Sequence, residues 1–256
     1  MIDLHCHILP GIDDGSKNIE EALALAKQAV AEGIDHLLCT PHHHNGVYLN
    51  PKNTVIQRVA AFQQILDDEN IPLTLYEGQE VRIHGELLDH IAQGDILFAD
   101  LTDRYVLIEF PDLEIPTYAI KLLFTLCSHG MIPIIVHPER HPALIKNPNE
   151  LLPFIEMGCL AQVTAASYVG FFGKKVQKTA ELMMEHNMVH VMASDAHHVT
   201  KRPFLMKESF QKLEKEMGSD TSQLFQERAK HILNGDRFQV LPAISYEKTG
   251  FKLFRN

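Results

Sequence analysis

Asp3, His5, His7, Asp13 and Asp14 crowd into one opening run, Asp3-Leu4-His5-Cys6-His7-Ile8-Leu9-Pro10-Gly11-Ile12-Asp13-Asp14-Gly15. Met1 to His7 alternates polar and apolar positions as a short strand does, so His5 and His7 point to one face. Pro10, Gly11 and Gly15 make a turn-rich loop that can carry Asp13 or Asp14 back over that face. Two imidazoles and a carboxylate at a strand end suit a divalent ion of borderline hardness.

The elements that must hold this chemistry alternate along the chain. Asn18 with Glu21 reads as a helix start, followed by Ile19, Ala22, Leu23, Ala26 and Val30 at helical spacing and a stop at Gly33. Strands are expected at 36–40, within 71–81, and at 105–110, 132–137, 160–164 and 189–195. Helices are expected at 52–68, 116–129, 148–157, 173–186, 204–216 and 221–233. With the first strand, this makes seven short apolar strands separated by helices, which indicates an α/β fold with parallel strands buried on both faces. A barrel-like closure fits better than a doubly wound sheet, because no strand-turn-helix carries a glycine-rich phosphate loop.

Barrels of this class place their chemistry at the C-terminal strand ends, and polar residues gather there. His5 and His7 end the first strand, His42 the second, Glu80 the third, Glu109 the fourth, His137 the fifth, and Asp195 and His197 the seventh. Asp14 joins them from the first loop, although spacing alone could equally favour Asp13. Four of these nitrogen and oxygen donors are carboxylates and none is a thiolate, which favours manganese, iron or zinc. They are too many for one ion and enough for two or three. Arg140 and Arg202 follow His137 and His197 on rim loops, where a guanidinium fork matches phosphate oxygens. His43, His44 and His198 neighbour the donors, and proton shuttling and a supporting role fit them equally. His84, His90, His129, His186 and His231 read as ordinary solvent-facing or core histidines. Tyr48, Phe171 and Phe172 read as packing residues more than as a platform for an aryl group.

Composition narrows the class. A formal charge of −10 argues against a nucleic-acid backbone or an anionic membrane as partner. The four cysteines show no paired spacing, and no secretory leader or long apolar stretch is evident, so a soluble protein of a reduced, cytoplasmic compartment is expected. No repeat or linker divides residues 1–256, which read as a single domain with a tail of mixed character from 239 to 256.

The ordered set of motifs resembles the PHP (polymerase and histidinol phosphatase) superfamily. Within it, the chain is similar to the bacterial metal-dependent protein-tyrosine phosphatases encoded with capsule and exopolysaccharide genes. The carriers are D-L-H-C-H-I-L-P-G-I-D-D-G at 3–15, T-P-H-H at 40–43, G-Q-E at 78–80, I-E-F-P at 108–111, H-P-E-R at 137–140 and S-D-A-H at 194–197. The resemblance implies a distorted seven-stranded (β/α) barrel, the PHP fold, holding three divalent ions, Mn²⁺ foremost, with iron or zinc as alternatives. One ion would take His5, His7 and Asp195; a second Glu109 and His137, with Glu80 bridging to the first; the third Asp14, His42 and His197. It implies attack of a metal-bridging hydroxide on phosphorus, and phosphotyrosine in the tail of a bacterial tyrosine kinase as substrate. A small-molecule phosphatase of the histidinol-phosphate type is the alternative. An amidohydrolase would call for a bridging lysine where Glu80 and Glu109 stand. A non-catalytic metal-binding module would usually keep only part of the ligand set. A cysteine-based phosphatase needs Arg six residues after Cys, and those positions are Ile12, Asn45, Pro133 and Ala165.

Overall fold

The computed structural model describes residues 1–247. The strands are β1 (Ile2–Cys6), β2 (His36–Cys39), β3 (His42–His43), β4 (Thr74–Glu77), β5 (Glu80–Arg82), β6 (Tyr105–Glu109), β7 (Ile132–Val136), β8 (Leu160–Thr164) and β9 (Val191–Ala193). They form a three-stranded sheet, β1-β2-β4, and a six-stranded sheet, β3-β5-β6-β7-β8-β9. Their pairings are parallel throughout, with helices in the crossovers.

The expected seven strands thus become nine segments. The strand expected at 36–40 ends at Cys39, and past Thr40-Pro41, where proline has no N–H to give to a ladder, a further segment forms at His42–His43. The strand expected within 71–81 is interrupted at Gly78-Gln79. Gln79 turns its amide away, its Nε2 donating to the Asn50 carbonyl at 2.6 Å and its Oε1 accepting from Leu97 N at 2.6 Å. Across these breaks, Gly78 N donates to Cys39 O at 2.9 Å and Glu80 N to Pro41 O at 3.1 Å. Among the described residues the ladders make a mixed α/β fold of two parallel sheets, and no continuous closed barrel.

Period-two alternation sorts the strand side chains between two apolar layers. Tyr105, Leu107, Ile134 and Val136 pack with Leu4, Leu38 and Val191, and with Ile232 from the helix Ser219–Asn234. Val106, Ile108 and Ile135 face the larger layer beneath the other helices. Each fully buried aliphatic side chain of this kind contributes about 1.5–3 kcal/mol.

Local signals set the helix ends. Glu21 N donates to Asn18 Oδ1 at 2.9 Å and opens the helix Ile19–Ala31, and Gly33 leaves it with φ +86°. The helix Lys52–Asp68 starts directly after Pro51. Short helices at Leu87–Ala92, Pro142–Lys146 and Ala165–Tyr168 carry no strong periodicity. The tail lies on the body of the chain as far as it is described: Tyr246 N donates to Asn149 Oδ1 at 2.8 Å and Ile244 N to His186 O at 2.8 Å. Its end, 248–256, lies outside the described residues. None of the described helices is long and apolar enough to cross a membrane.

Candidate metal centre

The fold brings all nine donors named above to one place. His5 and His7 leave the end of β1 with their Nε2 atoms 3.1 Å apart. Glu80, the first residue of β5, stands between four rings. Its Oε2 lies 3.5 Å from His5 Nε2, 3.3 Å from His7 Nε2 and 2.8 Å from His42 Nδ1, and its Oε1 lies 2.7 Å from His137 Nε2. Glu109, at the end of β6, adds Oε2 at 3.7 Å from His42 Nδ1. Asp195 Oδ1 is 3.5 Å from both His5 Nε2 and His7 Nε2. Asp14 Oδ1 is 3.4 Å from the Nε2 atoms of His42 and His197. These distances define overlapping donor groups: His5, His7 and Glu80; His42, Glu80 and Glu109; and Asp14, His42 and His197 with His7.

Neighbouring groups fix which ring nitrogen faces inward. His5 Nδ1 donates to Gln162 Oε1 at 2.8 Å, His7 Nδ1 to Asp13 Oδ2 at 2.7 Å, and His197 Nδ1 to the Asp195 carbonyl at 2.9 Å. In the neutral ring each bond puts the proton on Nδ1 and leaves an Nε2 lone pair for the centre, as supporting bonds do around metal-ligating histidines. Asp13 and Asp14 are thereby separated. Asp13 is engaged by His7 and by the backbone N–H groups of Gly15 and His42, at 3.0 and 3.2 Å, whereas Asp14 reaches over the centre from a half-exposed position.

The donor set fits cations. His42 Nδ1, Glu80 Oε2, Asp195 Oδ1 and His197 Nε2 are buried without a partner in hydrogen-bond geometry, although His42 Nδ1 and Glu80 Oε2 stand 2.8 Å apart. A buried polar atom with no bond made costs about 1–3 kcal/mol, and a cation among these groups would remove that cost. Charge is correspondingly uneven. Burial works to lower the His7 and His42 pKa values, yet Asp13 holds His7 up at about 9, and Glu80 and Asp14 hold His42 up at about 11. Burial with the Arg140 charge pushes His137 down to about 3, and burial with His7 pushes His197 down to about 4. Burial and the Glu80 carboxylate push Glu109 up to about 7. His137 and Asp195 hold left-handed backbone angles, φ 39° and 52°. Non-glycine residues adopt these at some cost, often where a side chain is held for a function.

Arg140 and Arg202 converge on the same rim. Arg202 Nη2 donates to Asp195 Oδ2 at 2.6 Å, and Arg140 Nη2 donates to the same oxygen. They border a cleft of about 470 Å³ whose lining also includes Glu80, His137, Tyr48 and Arg82. Tyr48 lies parallel to His42 at 6.2 Å between ring centroids, and the Arg140 guanidinium sits 5.5 Å over the Phe172 ring. Phe171 meets Phe172 edge-on.

Sequence reasoning missed Gln162 and Arg82. Gln162 is a buried polar residue in the middle of the apolar strand β8, which was the available signal. Arg82 follows Glu80 by two positions on β5; its Nε donates to Glu109 Oε2 at 2.8 Å and its Nη2 lies 3.0 Å from Asp112 Oδ1.

A parallel α/β scaffold with clustered imidazoles and carboxylates at its strand ends describes a class of metal-dependent hydrolases. Residues 1–234 match the family described as capsular polysaccharide synthesis, CpsB/CapC, and the chain belongs to that family. It is 40% identical over 233 residues to the tyrosine-protein phosphatase YwqE of Bacillus subtilis, covering 91% of each chain. It is 36% identical over 249 residues to the putative tyrosine-protein phosphatase CapC of Staphylococcus aureus, covering 97% of each. A solved structure from work on YwqE of Bacillus subtilis and CpsB of Streptococcus pneumoniae, described as unique metal-dependent tyrosine phosphatases, aligns with a TM-score of 0.93. That alignment has 38% identity and covers 97% of this chain and 100% of the other. The capsule-type resemblance drawn from the motifs is the one these matches show.

Proposed function

We propose that this chain is a metal-dependent protein-tyrosine phosphatase of capsule or exopolysaccharide synthesis, acting on phosphotyrosine in the tail of a bacterial tyrosine kinase. The observation that carries the reading is the convergence of nine nitrogen and oxygen donors, four of them with orphaned buried atoms, beside two guanidinium groups in one cleft. The names of the relatives point the same way.

Three divalent ions, Mn²⁺ foremost, are the cofactors in this reading. His5, His7 and Asp195 would hold one; Glu109 and His137 a second, with Glu80 shared; Asp14, His42 and His197 a third. Bound there, divalent ions supply the charge that acidifies a water and neutralises phosphoryl oxygens. The chain itself does the rest. Gln162 and Asp13 keep the His5 and His7 rings facing inward. Arg140 and Arg202 lie on the cleft wall, where a guanidinium fork holds phosphate oxygens. Tyr48 offers a flat face to an aryl group.

The seams between the sheets support a distorted seven-stranded barrel. Asp195 N donates to His5 O at 2.8 Å and His7 N to Ala196 O at 2.9 Å, joining the two edges. One domain and a cytoplasmic location complete the reading.

A phenol leaves with a pKa near 10, so its anion needs less protonation than an alkoxide. The test is kcat/KM for phosphotyrosyl peptide, phosphoseryl peptide and histidinol phosphate at saturating Mn²⁺, with the phosphotyrosyl peptide expected to be best. Histidinol phosphate as the best substrate would transfer the site to the small-molecule class.

A further inference from the structure

Beyond the loop that follows β3 stands a second group of imidazoles, apart from the nine donors. The ring centroids of His44 and His90 are 4.3 Å apart, those of His44 and His84 4.5 Å, and those of His84 and His90 4.9 Å. Each ring offers a nitrogen, and the three atoms lie within 4.8 Å of one another. They come from separate parts of the chain: His44 follows β3, His84 follows β5, and His90 sits on the helix Leu87–Ala92.

Their surroundings are those of ligands more than of incidental neighbours. His84 Nδ1 donates to the Arg82 carbonyl at 2.8 Å, which leaves its Nε2 lone pair facing His90 Nδ1 at 2.9 Å. His44 Nε2 is buried without a hydrogen-bond partner, and Asp95 Oδ2 lies 3.5 Å from it. His43 holds that carboxylate in place. Its Nδ1 accepts from Asn50 N at 3.1 Å, so its Nε2 carries the proton that it donates to Asp95 Oδ2 at 3.1 Å. His44 itself has φ 58°, a backbone conformation that disfavours any residue with a Cβ.

We propose that His44, His84 and His90 form a separate divalent-metal site of zinc type, with Asp95 beside it. Nitrogen ligands about 2.0–2.1 Å from a tetrahedral ion stand about 3.3 Å apart, so small ring movements turn this cluster into a three-histidine face. The fourth position is open to water or to Asp95. An all-imidazole face selects Zn²⁺, Cu²⁺, Ni²⁺ or Co²⁺ over Mn²⁺, unlike the centre with its four carboxylates. An ion here would tie residues 44–50, which carry Tyr48 to the cleft, to the segment 83–95.

The experiment counts ions. Protein loaded with Mn²⁺ is given Co²⁺ or Zn²⁺, desalted, and analysed for metal per chain, with the Co²⁺ absorption spectrum recorded. Wild type should hold one more Co²⁺ or Zn²⁺ than His84→Ala/His90→Ala, and should show a tetrahedral Co²⁺ spectrum that the variant lacks. His44→Asn should lose the same equivalent, and Asn tolerates the left-handed backbone if the double variant does not fold. Equal counts in wild type and a folded variant, or an extra ion that does not survive desalting, would overturn the assignment.

Discussion

Arg140 and Arg202 share one acceptor, Oδ2 of Asp195, while Oδ1 of the same carboxylate faces His5 and His7. Either guanidinium alone can hold Asp195 in place. Arg140→Ala and Arg202→Ala are therefore expected to keep their metal content and to lose turnover. One charge-assisted contact to a transition state is worth about 2–4 kcal/mol, or roughly 30- to 1000-fold in kcat. Lysine should rescue only in part, lacking the planar fork. Metal loss in step with activity in either single variant would reassign both arginines to positioning Asp195.

Glu80 is the shared element of the centre, within reach of His5, His7, His42 and His137. Glu80→Gln is expected to lose more than one ion per chain. Metal analysis beside circular dichroism checks this, and loss of a single ion would show that Glu80 does not bridge. Chelation of wild type should likewise abolish turnover and Mn²⁺ restore it; full activity after exhaustive demetallation would sink the metal reading altogether.

Gly15 touches the backbone of His7. A Cβ there would run into the His7 carbonyl oxygen and stand 2.7 Å from His7 Cβ. Gly15→Ala should push the loop bearing Asp13 and Asp14 outward, lowering stability by about 1–3 kcal/mol and reducing metal content. Urea midpoints together with metal analysis test it, and an unchanged midpoint would mean that the loop yields without cost.

His190 lies away from the centre, buried, its Nδ1 accepting from Ala161 N at 3.1 Å. Burial, aided by the Arg228 guanidinium, pushes its pKa down from 6.5 to about 3. The unfolded chain takes up this proton as pH falls through 6.5 while the folded chain refuses it until pH 3. Stability is therefore fully present above pH 6.5 and is lost as pH falls, by roughly 3 kcal/mol at pH 4. His190→Asn keeps an acceptor for Ala161 and removes the titration. In chelator-treated protein its stability should fall less than that of wild type between pH 7 and pH 4. Parallel profiles would contradict the assignment.

The local signals in this chain were legible because they are periodic. Apolar strands such as Leu160–Thr164 and the helix Lys52–Asp68 emerge where the sequence places them, and the strand ends bring the nine donors together. What was not legible depends on partners distant in sequence. Gln79 cuts a strand because of where its side chain's hydrogen bonds go, to Asn50 and Leu97. Gln162 stands out as a polar residue within an apolar strand, but what it does appears only once His5 lies beside it. His84 and His90 read as incidental because nothing local announces that the chain folds His44 against them. Asp13 and Asp14 could be told apart only once the loop was closed, with Asp13 on His7.

The clasp between the first strand and the last has a consequence for how the protein is made. Asp3 accepts from Ser194 Oγ at 2.5 Å, a bond that spans 191 positions of sequence, and His5 meets Asp195 beside it. At about 5–20 residues per second, a ribosome needs roughly 10–40 s to supply the second half of that pair after the first. Until then His5 and His7 emerge without Asp195 and His197, and the centre is incomplete however much metal is at hand. The complete nine-donor set can therefore form only late in synthesis or after it, whereas the group His5, His7 and Glu80 is in the chain far earlier.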